Sequence, residues 1–486
     1  MIKILIIGCG PHATHFYLPQ LQDIMRNDAE ITVTGVLDLI SAREFITEEL
    51  KQRGFHVKAY FVSSFTSDRD VLPKETLALL DSLVDKGEVN AVIISTDPLN
   101  HKSYVRWALS RHLPILLDKP VTTRENAAFD LTQARQIEQD YEDLLSDYQG
   151  LVSPRPPFVL CAHRRYHPGI LEVRKIIRET ALATSCPVTN VHSMHADGQW
   201  RFPTEICEQK HHSYNEGYGK VSHSGFHFID CVVEFWKEGL YSGKKADAIE
   251  VFSRFVRPNG LLKQLTHEDY ARIFGADYEK VCKYNDKELS QRFSACGEVD
   301  AEINLTMLAD NEPFSLGTIS LMHNSYSRRS WMYPNRDLYK GNGRVKHEEH
   351  VINVGPFLNI QVHSYQAKDN HTECDSSDLK LGGNNHFEIY LFRNNKVIGG
   401  KPFEILSLSD LPEVKNYSRD SLFISQIKKK SIDEWVAAIR KGSGFETGLL
   451  SNFEDHRMSV ALMSAIYQSN CQREEKCSPV ITIPWK

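Results

Sequence analysis

Residues 4–13 read ILIIGCGPHA, an apolar run that gives way at once to spaced glycines. A run of this length is typical of an interior strand in a parallel sheet. In Gly8-x-Gly10-x-x-Ala13, Gly8 permits a tight turn, Gly10 lets the backbone approach a pyrophosphate, and Ala13 lets a helix pack closely on the strand. The stretch therefore predicts a dinucleotide-binding turn at the start of the chain.

A carboxylate follows the next apolar run. Residues 31–37 read ITVTGVL and are followed by Asp38, where a dinucleotide fold places the acid that accepts hydrogen bonds from the adenosine ribose. Pro11 and His12 would open the first helix, whose N-terminus attracts phosphate. A carboxylate repels the 2′-phosphate of NADP, so Asp38 favours NAD, while Arg43 nearby leaves room for NADP. A glycine-rich turn without a ligand is the alternative interpretation.

The length and composition narrow the class of protein. At 486 residues the chain is too long for one core, so two or more domains are expected. A net charge of −6 argues against a general nucleic-acid binder. We find no apolar run near the ~20 residues that cross a bilayer, and the N-terminus is typical of a strand rather than a signal peptide. The ten cysteines are scattered without a CxxC pair, which favours reduced thiols in a cytoplasmic protein.

The pattern of predicted strands and helices divides the chain into two regions. Residues 1–165 alternate strands and helices, which predicts a doubly wound parallel sheet of the Rossmann type. Residues 166–486 predict an α/β domain with an open, largely antiparallel sheet. Strands are predicted at 31–37, 57–61, 89–95, 114–117, 158–162, 188–194, 248–256, 302–308, 315–324 and 387–392. Helices are predicted at 41–53, 73–85, 102–110, 123–147, 168–179, 431–441 and 451–469. The polar segments 258–300 and 325–385 are expected to be insertions or long loops.

Polar residues follow two of the predicted strands. Thr96 and Asp97 follow one strand, and Lys119 follows another; the carboxyl ends of parallel strands line the crevice where ligands bind. A lysine there can hydrogen-bond a substrate hydroxyl and stabilise negative charge on its oxygen, and Pro120 after it allows a cis peptide bond. A helix-capping turn is the alternative for Thr96 and Asp97. A solvated loop is the alternative for Lys119.

Two histidines lie four residues apart in a helical stretch. His223 and His227 would project from one face, and imidazole suits acid/base work because its pKa lies near operating pH. With Cys207, His211 and His212 they also admit a zinc interpretation. The sequence has no HExxH and the spacings match no standard site, so we expect no metal. A structural role is the further alternative for His211 and His212.

Together these motifs resemble the Gfo/Idh/MocA oxidoreductase family. The similarity takes in the glycine turn, both strand ends, residues 161–166, residues 217–230 and a helix at 463–469, and it covers residues 1–235 well. In that family the strand ends read T-P-x-x-x-H and E-K-P, so Asp118 here replaces a glutamate. The resemblance implies an NAD(P)-dependent dehydrogenase or reductase. Its hydride would pass between nicotinamide and a carbinol or keto carbon of a sugar, polyol or sugar derivative.

The resemblance also implies roles for particular residues. His227 stands at the position of the family's acid/base histidine, and it would bracket the reacting oxygen together with Lys119. His223 stands where many members have an aspartate that orients the substrate or the histidine, so help from a fixed negative charge is in doubt. The cofactor-binding residues that it implies are Gly8, Gly10, Pro11, His12, Ala13, Asp38, Thr96, Asp97, His101 and Lys119.

Substrate contacts are expected from two further segments. The resemblance implies that residues 163–168 face the active site, and of two adjacent arginines we expect Arg165 to point inward and its neighbour to face solvent. His195, Trp200 and Arg201 would supply an aromatic and cationic wall, of which Trp200 is the substrate contact. A tryptophan packed in the core is the alternative.

Two other functions fit the same scaffold. One is a non-catalytic protein that senses a nucleotide or sugar, because function lies in the site rather than in the fold. The other is a hydrolase or lyase that retains NAD and oxidises its substrate transiently. In either case we expect a cytoplasmic protein without nucleic-acid or membrane partners. A homo-oligomer, dimer or tetramer, would form through the open sheet of the second domain.

Overall fold

The apolar run that opens the sequence forms an interior strand of a parallel sheet. The structure, a computed structural model, describes residues 1–65, 70–210, 212–330, 332, 343–368, 385–416, 423–445 and 448–486. Within these residues the strands are β1 (Ile2–Ile7), β2 (Ile31–Leu39), β3 (Lys58–Val62), β4 (Ala91–Ile94), β5 (Ile115–Leu117), β6 (Phe158–Leu160), β7 (Asn190–Ala196), β8 (Ala248–Val256), β9 (Asp300–Ala309), β10 (Glu312–Met322), β11 (Arg344–Val354), β12 (Leu358–Lys368), β13 (Asn385–Arg393), β14 (Phe403–Ser407) and β15 (Ile481–Pro484).

The helices that separate and cover these strands differ widely in length. They are α1 (Leu18–Asn27), α2 (Arg43–Gln52), α3 (Lys74–Asp85), α4 (His101–Ser110), α5 (Leu131–Gln149), α6 (Pro168–Thr184), α7 (Pro203–Glu208), α8 (Phe226–Gly239), α9 (Pro258–Gln264), α10 (His267–Phe274), α11 (Ala276–Val281), α12 (Asp286–Phe293), α13 (Asn395–Ile398), α14 (Phe423–Lys441) and α15 (Arg457–Glu474). Helical turns of π type at Ala13–Tyr17 and Val221–Gly225 precede α1 and α8.

The chain forms two compact units. The first combines Met1–Thr123, Ile137–Tyr166 and Asp420–Val460, and the second combines Arg124–Gln136, His167–Arg419 and Ala461–Lys486. Residues 423–441, which the sequence placed with the second domain, thus pack in the first unit.

The sheet of the first unit has the strand order β3-β2-β1-β4-β5-β6, and all of its pairs are parallel. The order reverses between β1 and β4, and such a switch point is where open α/β sheets bind ligands at their carboxyl ends. Ile4 and Ile6 of β1 are fully buried, and Ile432 and Trp435 of α14 belong to the same hydrophobic core. The doubly wound parallel sheet predicted from the sequence is confirmed.

The sheet of the second unit has nine strands in the order β14-β13-β12-β11-β7-β10-β9-β8-β15. Among the described residues of this sheet, β7 and β10 pair in parallel and the other pairs are antiparallel. The open, largely antiparallel sheet is confirmed. Helices α6 and α8 pack against each other and against strands of this sheet.

One predicted helix begins later than expected. The sequence placed its start at residue 123, whereas α5 begins at Leu131. Before it, the backbone turns away to pair with another segment of the second unit, since the amide of Asn126 donates to the carbonyl of Glu216 at 2.9 Å. The Asp130 carboxylate then accepts the amide of Thr132 at 2.8 Å and caps the new helix.

The two polar segments are folded, so the expectation of long loops was wrong for the parts that the structure describes. Residues 258–293 form α9 to α12, which bury Tyr270, Tyr278, Leu289 and Phe293. Within 325–385, β11 and β12 form an antiparallel hairpin. A short helix, or a strand with one exposed face, buries few side chains. The sequence of these segments therefore shows no long apolar pattern.

The described cysteines are free thiols. Among the residues that the structure describes, no helix has the length and apolar character needed to cross a membrane.

Candidate functional site

The glycine turn after β1 has the geometry that the sequence predicted. Gly8 has φ +88°, and a Cβ there would lie 2.5 Å from the carbonyl carbon of Ser95, so only glycine fits. At Gly10 an added Cβ would meet nothing within 4 Å, which leaves the backbone bare on that side. Ala13 is fully buried. The turn therefore offers an open stretch of backbone that a pyrophosphate can approach.

The helix after the turn begins with the π-type turn Ala13–Tyr17. The backbone amide of Thr14 donates a hydrogen bond to the carbonyl of Gly10 at 3.0 Å. Amides in a first helical turn attract anions, and π-type turns are frequent at functional sites. A dinucleotide thus fits the residues present.

Asp38 lies at the end of β2 and holds the glycine turn. Its Oδ2 accepts the amide of Cys9 at 2.6 Å, and its Oδ1 accepts the amide of Leu39 at 2.6 Å. The sequence did not reveal this bond to the turn. An ionised carboxylate has about four lone-pair sites, and the contact of Asp38 with a ribose hydroxyl stays a prediction.

His101 ties together the loops that follow β4 and β5. It is fully buried, with Nδ1 at 3.0 Å from the carbonyl of Pro120 and Nε2 at 3.2 Å from the carbonyl of Thr96. Burial lowers the pKa of His101, so the ring is neutral at pH 7. His101 therefore acts on the candidate site by positioning these loops. The Asp97 carboxylate accepts the amide of Leu99 at 3.0 Å, so the helix-capping alternative is observed there.

Three side chains converge on Asp118 at the end of β5. Its carboxylate accepts hydrogen bonds from Tyr17 Oη at 2.6 Å, Ser95 Oγ at 2.5 Å and His12 Nδ1 at 2.8 Å. Burial acts to raise the pKa of Asp118, but its hydrogen-bond partners outweigh burial and hold this pKa below the usual range. Asp118 is therefore a carboxylate at neutral pH.

His12 connects Asp118 to a lysine from a distant part of the sequence. Lys428 Nζ of α14 lies 2.9 Å from His12 Nε2. Burial lowers the pKa of His12, and Lys428 and Lys119 add to this effect. Together they outweigh Asp118, which acts to raise the pKa, so His12 is neutral. The arrangement assigns the ring proton to Nδ1, facing Asp118, with Nε2 accepting from Lys428. The sequence did not indicate Lys428, because no motif surrounds it.

Lys119 follows Asp118 directly and is half-buried. The peptide bond between Lys119 and Pro120 is cis, as the sequence allowed. The charge of Lys119 acts on the pKa of His12. The glycine turn and the strand end at Asp118 and Lys119 therefore lie close together in the first unit.

In the second unit, His223 and His227 flank the junction between a π-type turn and α8. The amide of Gly225 donates to the carbonyl of Lys220 at 2.8 Å, which is the π-type spacing. His227 is 4% exposed. The ring of His223 contacts an aromatic group whose members are His212, Tyr214 and Tyr218, at centroid distances of 4.9, 5.7 and 5.3 Å.

A buried ion-pair network lies beside this turn. Lys220 is 1% exposed, and its Nζ donates to Asp197 Oδ2 at 2.5 Å and Ser224 Oγ at 2.8 Å and lies 2.8 Å from His195 Nδ1. Arg344 also donates to Asp197. Burial acts to raise the pKa of Asp197, but Lys220 and Arg344 outweigh it and hold this pKa well below its usual value. The sequence missed the network because its members are far apart along the chain.

Arg165, one of the predicted substrate contacts, has structural partners. Arg165 donates to the carbonyls of Leu450 and Asp455 at 3.3 Å each. Both Arg164 and Arg165 are buried, at 6% and 3% exposure, so the expectation that one of the pair faces solvent was wrong. The backbone carbonyls that accept from Arg165 come from a segment about 290 residues away, which the sequence could not show.

Trp200 packs among the rings of Phe202, Tyr270 and Phe274. Its Nε1 donates to Tyr270 Oη at 3.3 Å. The packed-core alternative is therefore observed for Trp200.

The zinc interpretation lacks a ligand set in the described part of the chain, where no group of three His, Cys, Asp or Glu side chains could hold a metal ion. His211, one member of the proposed set, lies outside the described residues.

The parallel sheet and the glycine turn define a dinucleotide-binding domain. Residues 2–140 match the model of the Gfo/Idh/MocA family, described as an oxidoreductase family with an NAD-binding Rossmann fold. The resemblance stated from the sequence is confirmed. NAD is also the cofactor that the family description names.

Short and full-length similarities extend this finding. Inositol 2-dehydrogenase from Arthrobacter sp. (strain FB24) is 38% identical over 60 residues, which are 12% of this chain and 18% of that protein. The match thus spans under a fifth of the relative's length. An oxidoreductase from Agrobacterium radiobacter, solved with NAD+, L-tartaric acid and magnesium, is 13% identical with a TM-score of 0.57 over 99% of this chain and 98% of that one.

A levoglucosan dehydrogenase solved with NADH and levoglucosan is 12% identical, with a TM-score of 0.57 over 99% of each chain. The aldose-aldose oxidoreductase of Caulobacter crescentus, solved with glycerol, is 13% identical, with a TM-score of 0.55 over 100% of this chain and 99% of that one. At these identities the structures show that the fold is shared along the whole chain.

Proposed function

We propose that this protein is an NAD(P)-dependent oxidoreductase acting on a CH–OH group of a sugar, polyol or sugar derivative. The observation that carries the proposal is the glycine turn, which is forced to be glycine at Gly8 and left open at Gly10, within residues that match an NAD-binding oxidoreductase family. When bound, the nicotinamide supplies or accepts the hydride. The inositol, levoglucosan and aldose enzymes among the similar proteins support a polyhydroxylated substrate.

Lys119 is proposed to hold the reacting oxygen. It follows β5 at the carboxyl edge of the parallel sheet, beside the carboxylate of Asp118 and the neutral ring of His12. An ammonium at this edge stabilises the negative charge that grows on a substrate oxygen as its proton leaves. The network of Asp118 fixes the end of the strand and so restricts where Lys119 can reach.

His227 is proposed to take the hydroxyl proton, and His223 to orient it. An imidazole can accept a proton near neutral pH without a large shift of its pKa. Since His223 stands at a position where an aspartate is usual, its orienting contact would be that of a ring nitrogen rather than a carboxylate. The aromatic group around His223 limits how far this ring can turn.

The experiment that tests the proposal is mass spectrometry of the denatured purified protein, followed by an NADH absorbance assay on a panel of sugars and polyols. We expect NAD(H) to copurify or to bind on addition, and absorbance at the NADH band to change with at least one substrate. Binding without any turnover would favour a sensing protein. Product formation with tightly retained NAD and no net change in NADH would favour a hydrolase or lyase.

We further propose a homo-oligomer formed through the open face of the nine-stranded sheet, in the cytoplasm. Leu316, Phe392 and Phe403 belong to one row of cross-strand neighbours and therefore share a face. They are 54%, 41% and 48% exposed, which is unusual for large apolar side chains. Light scattering after size exclusion tests this, and Phe392→Lys should shift the mass toward the monomer. A monomeric unmodified protein at micromolar concentration would contradict the proposal.

A further inference from the structure

Arg201 is a buried guanidinium without a matching carboxylate. It is 4% exposed and lies in the loop after β7. Its Nη2 donates to Gln199 Oε1 at 3.2 Å. Among the described residues, its Nε has no hydrogen-bond partner, and no carboxylate oxygen forms an ion pair with it. Arginines are almost never fully buried unless they are paired with an anion. The position of Arg201 is therefore suited to binding an anionic ligand.

Glu205, the acid with the largest charge effect on Arg201, is already paired with another arginine. Glu205 forms a bidentate pair with Arg329, with Oε2 at 2.6 Å from Nη1 and Oε1 at 2.7 Å from Nη2. Arg329 also lies over the ring of Phe202 at 3.9 Å. Both oxygens of Glu205 are thus bound to Arg329. The charge of Glu205 acts to raise the pKa of Arg201, but burial has the larger effect and lowers it.

Two more buried donors lie beside Arg201. Tyr214 is fully buried and His323 is 7% exposed, and neither Tyr214 Oη nor His323 Nε2 has a hydrogen-bond partner among the described residues. The two rings meet edge to face at a centroid distance of 5.5 Å. The charge of Arg201 acts on both, although burial has the largest effect on their pKa values, raising that of Tyr214 and lowering that of His323. Tyr214 therefore keeps its proton, and the ring of His323 is neutral.

The carboxyl groups around this cluster are bound elsewhere. Asp197 is shared between Lys220 and Arg344. Asp300 Oδ1 accepts the amide of His323 at 2.8 Å. Burial raises the pKa of Asp300, which weakens it further as a counter-ion.

Glu298 is a third carboxyl group within electrostatic range of Tyr214. Its Oε1 accepts the hydroxyl of Tyr467 at 2.9 Å, and burial raises its pKa to about 7. None of the three carboxyl groups forms an ion pair with Arg201 within the described residues. Arg201 therefore has a neutral hydrogen-bond partner, Gln199, but no carboxylate partner among the described residues.

We propose that Arg201, Tyr214 and His323 bind a carboxylate of the substrate, so that the substrate is a sugar acid or polyol acid rather than a neutral sugar. This inference rests on the proposed function and names its substrate class. A single unpaired cation with two neutral donors matches the one negative charge of a carboxylate better than the two of a phosphate. Tyr214 also contacts the ring of His223 at 5.7 Å, so the carboxylate would be bound next to the proposed orienting residue.

Calorimetry with the full-length protein tests the inference directly. The titrants are gluconate and glucuronate, the neutral sorbitol and myo-inositol, and glucose 6-phosphate. We expect the carboxylates to bind at least tenfold more tightly than the neutral compounds, because charged hydrogen bonds are the strong ones. Equal affinity for acids and neutral polyols, or a preference for the phosphate, would overturn the inference.

Arg201→Met should reduce carboxylate affinity by tenfold or more and leave the affinity for neutral polyols unchanged. The matched control is Arg272→Met, which removes a 73% exposed guanidinium paired with Asp269, and it should change neither. Retention of the acid preference in Arg201→Met would overturn the inference.

Tyr214→Phe provides a variant that should fold normally, because the hydroxyl it removes has no partner in the described part of the protein. We expect an unchanged or higher Tm and a several-fold loss of carboxylate affinity. An unchanged affinity would overturn the inference. Carboxylate binding without any hydride transfer would instead contradict the proposed function and support the site, whereas turnover of neutral polyols without an acid preference would do the reverse.

Discussion

Asp118 shows how a side chain shortened by one methylene is held by its neighbours. The family resemblance expects a glutamate at this position, and from the sequence the change looked mild. In the structure the shorter carboxylate accepts hydrogen bonds from His12 and Tyr17, at the two ends of the first helical turn, and from Ser95, which follows β4. The substitution therefore depends on partners that a motif does not contain.

Asp38 tests the cofactor preference. Asp38→Ser removes the charge that repels the 2′-phosphate, so we expect the preference for NAD(H) over NADP(H) to narrow or reverse. Titration calorimetry with both cofactors measures this. Since Asp38 also accepts the amide of Cys9, both affinities should fall somewhat. Tighter binding of NADP(H) by the unmodified protein would contradict the assignment.

Lys119 tests the charge-stabilising role. Lys119→Ala should lower kcat by about 10²–10³, the range for losing one positioned group that stabilises developing charge, and should leave cofactor affinity nearly intact. Steady-state kinetics and cofactor titration check the two effects separately. Lys429→Ala, which removes a lysine paired with Asp433 on α14, is the control. An unchanged kcat would assign Lys119 to a solvated loop.

His227 and His223 test the proton-transfer role. His227→Asn should lower kcat by roughly 10²–10⁴. His223→Asn should lower kcat less, because the proposed role of His223 is to orient His227 or the substrate and not to transfer the proton. His347→Asn, on β11 and paired with Glu349, is the control. Elemental analysis accompanies the kinetics. Stoichiometric zinc that both variants lose would speak against hydride transfer at this pair.

At the scale of elements, the sequence predicted the strands well where one face is apolar. Residues 248–256 were predicted as a strand and form β8 with those bounds. The helices at 267–274 and 286–293 were missed, although each begins with a capping box, at Thr266 with Asp269 and at Asn285 with Glu288. Two turns of helix are too short to show an apolar period, so only the caps could have revealed them.

The sequence identified candidate site residues more readily than the residues that surround them in the fold. Motifs gave Gly8, Asp38 and Lys119, because the turn and the strand ends impose fixed spacings. They could not give Lys428, whose role comes from partners that the fold brings from a distant segment. The sequence did name Arg201 in a substrate wall, but it could not show that this guanidinium is buried. The π-type turn before α8 was also invisible, since it changes hydrogen-bond spacing without changing residue type.

Glu298, which binds the π-type turn before α8, should make the free energy of unfolding depend on pH. It is fully buried, and its Oε1 accepts the amide of Val221 at 2.8 Å. Burial raises its pKa from 4.5 to about 7. The folded protein therefore keeps this proton where the unfolded chain has lost it, so the free energy of unfolding should fall as pH rises from about 4.5 to 7, by about 3 kcal/mol, and then level off.

Urea unfolding across this pH range measures the effect. Glu298→Gln should abolish most of the decline, whereas Glu312→Gln, an exposed residue at the start of β10, should keep it. A decline of the same size in Glu298→Gln would assign the pH dependence to other groups.

At the scale of the whole molecule, each compact unit is assembled from three stretches of sequence. The sequence predicted one boundary near residue 165, because motifs and alternating rhythm change there. The sequence could not show that α14 belongs to the first unit, because the apolar face of an amphipathic helix does not indicate which hydrophobic core it packs against. Only the packing of Ile432, Trp435 and Val436 with the strands of the parallel sheet reveals this.

The place of α14 in the first core determines the order in which the protein can fold during synthesis. Strands β1 to β6 leave the ribosome more than 250 residues before Trp435 does, yet Trp435 is fully buried in their core. The dinucleotide-binding unit therefore cannot complete itself first, as N-terminal domains commonly do. We expect a fragment of residues 1–166 to lack a cooperative thermal transition, and Trp435→Ala in the full chain to cost about 3–5 kcal/mol of stability. A nascent chain of this protein thus exposes an unfinished nucleotide fold for most of its translation, and a cooperative transition in the fragment would show that the fold closes without its last helix.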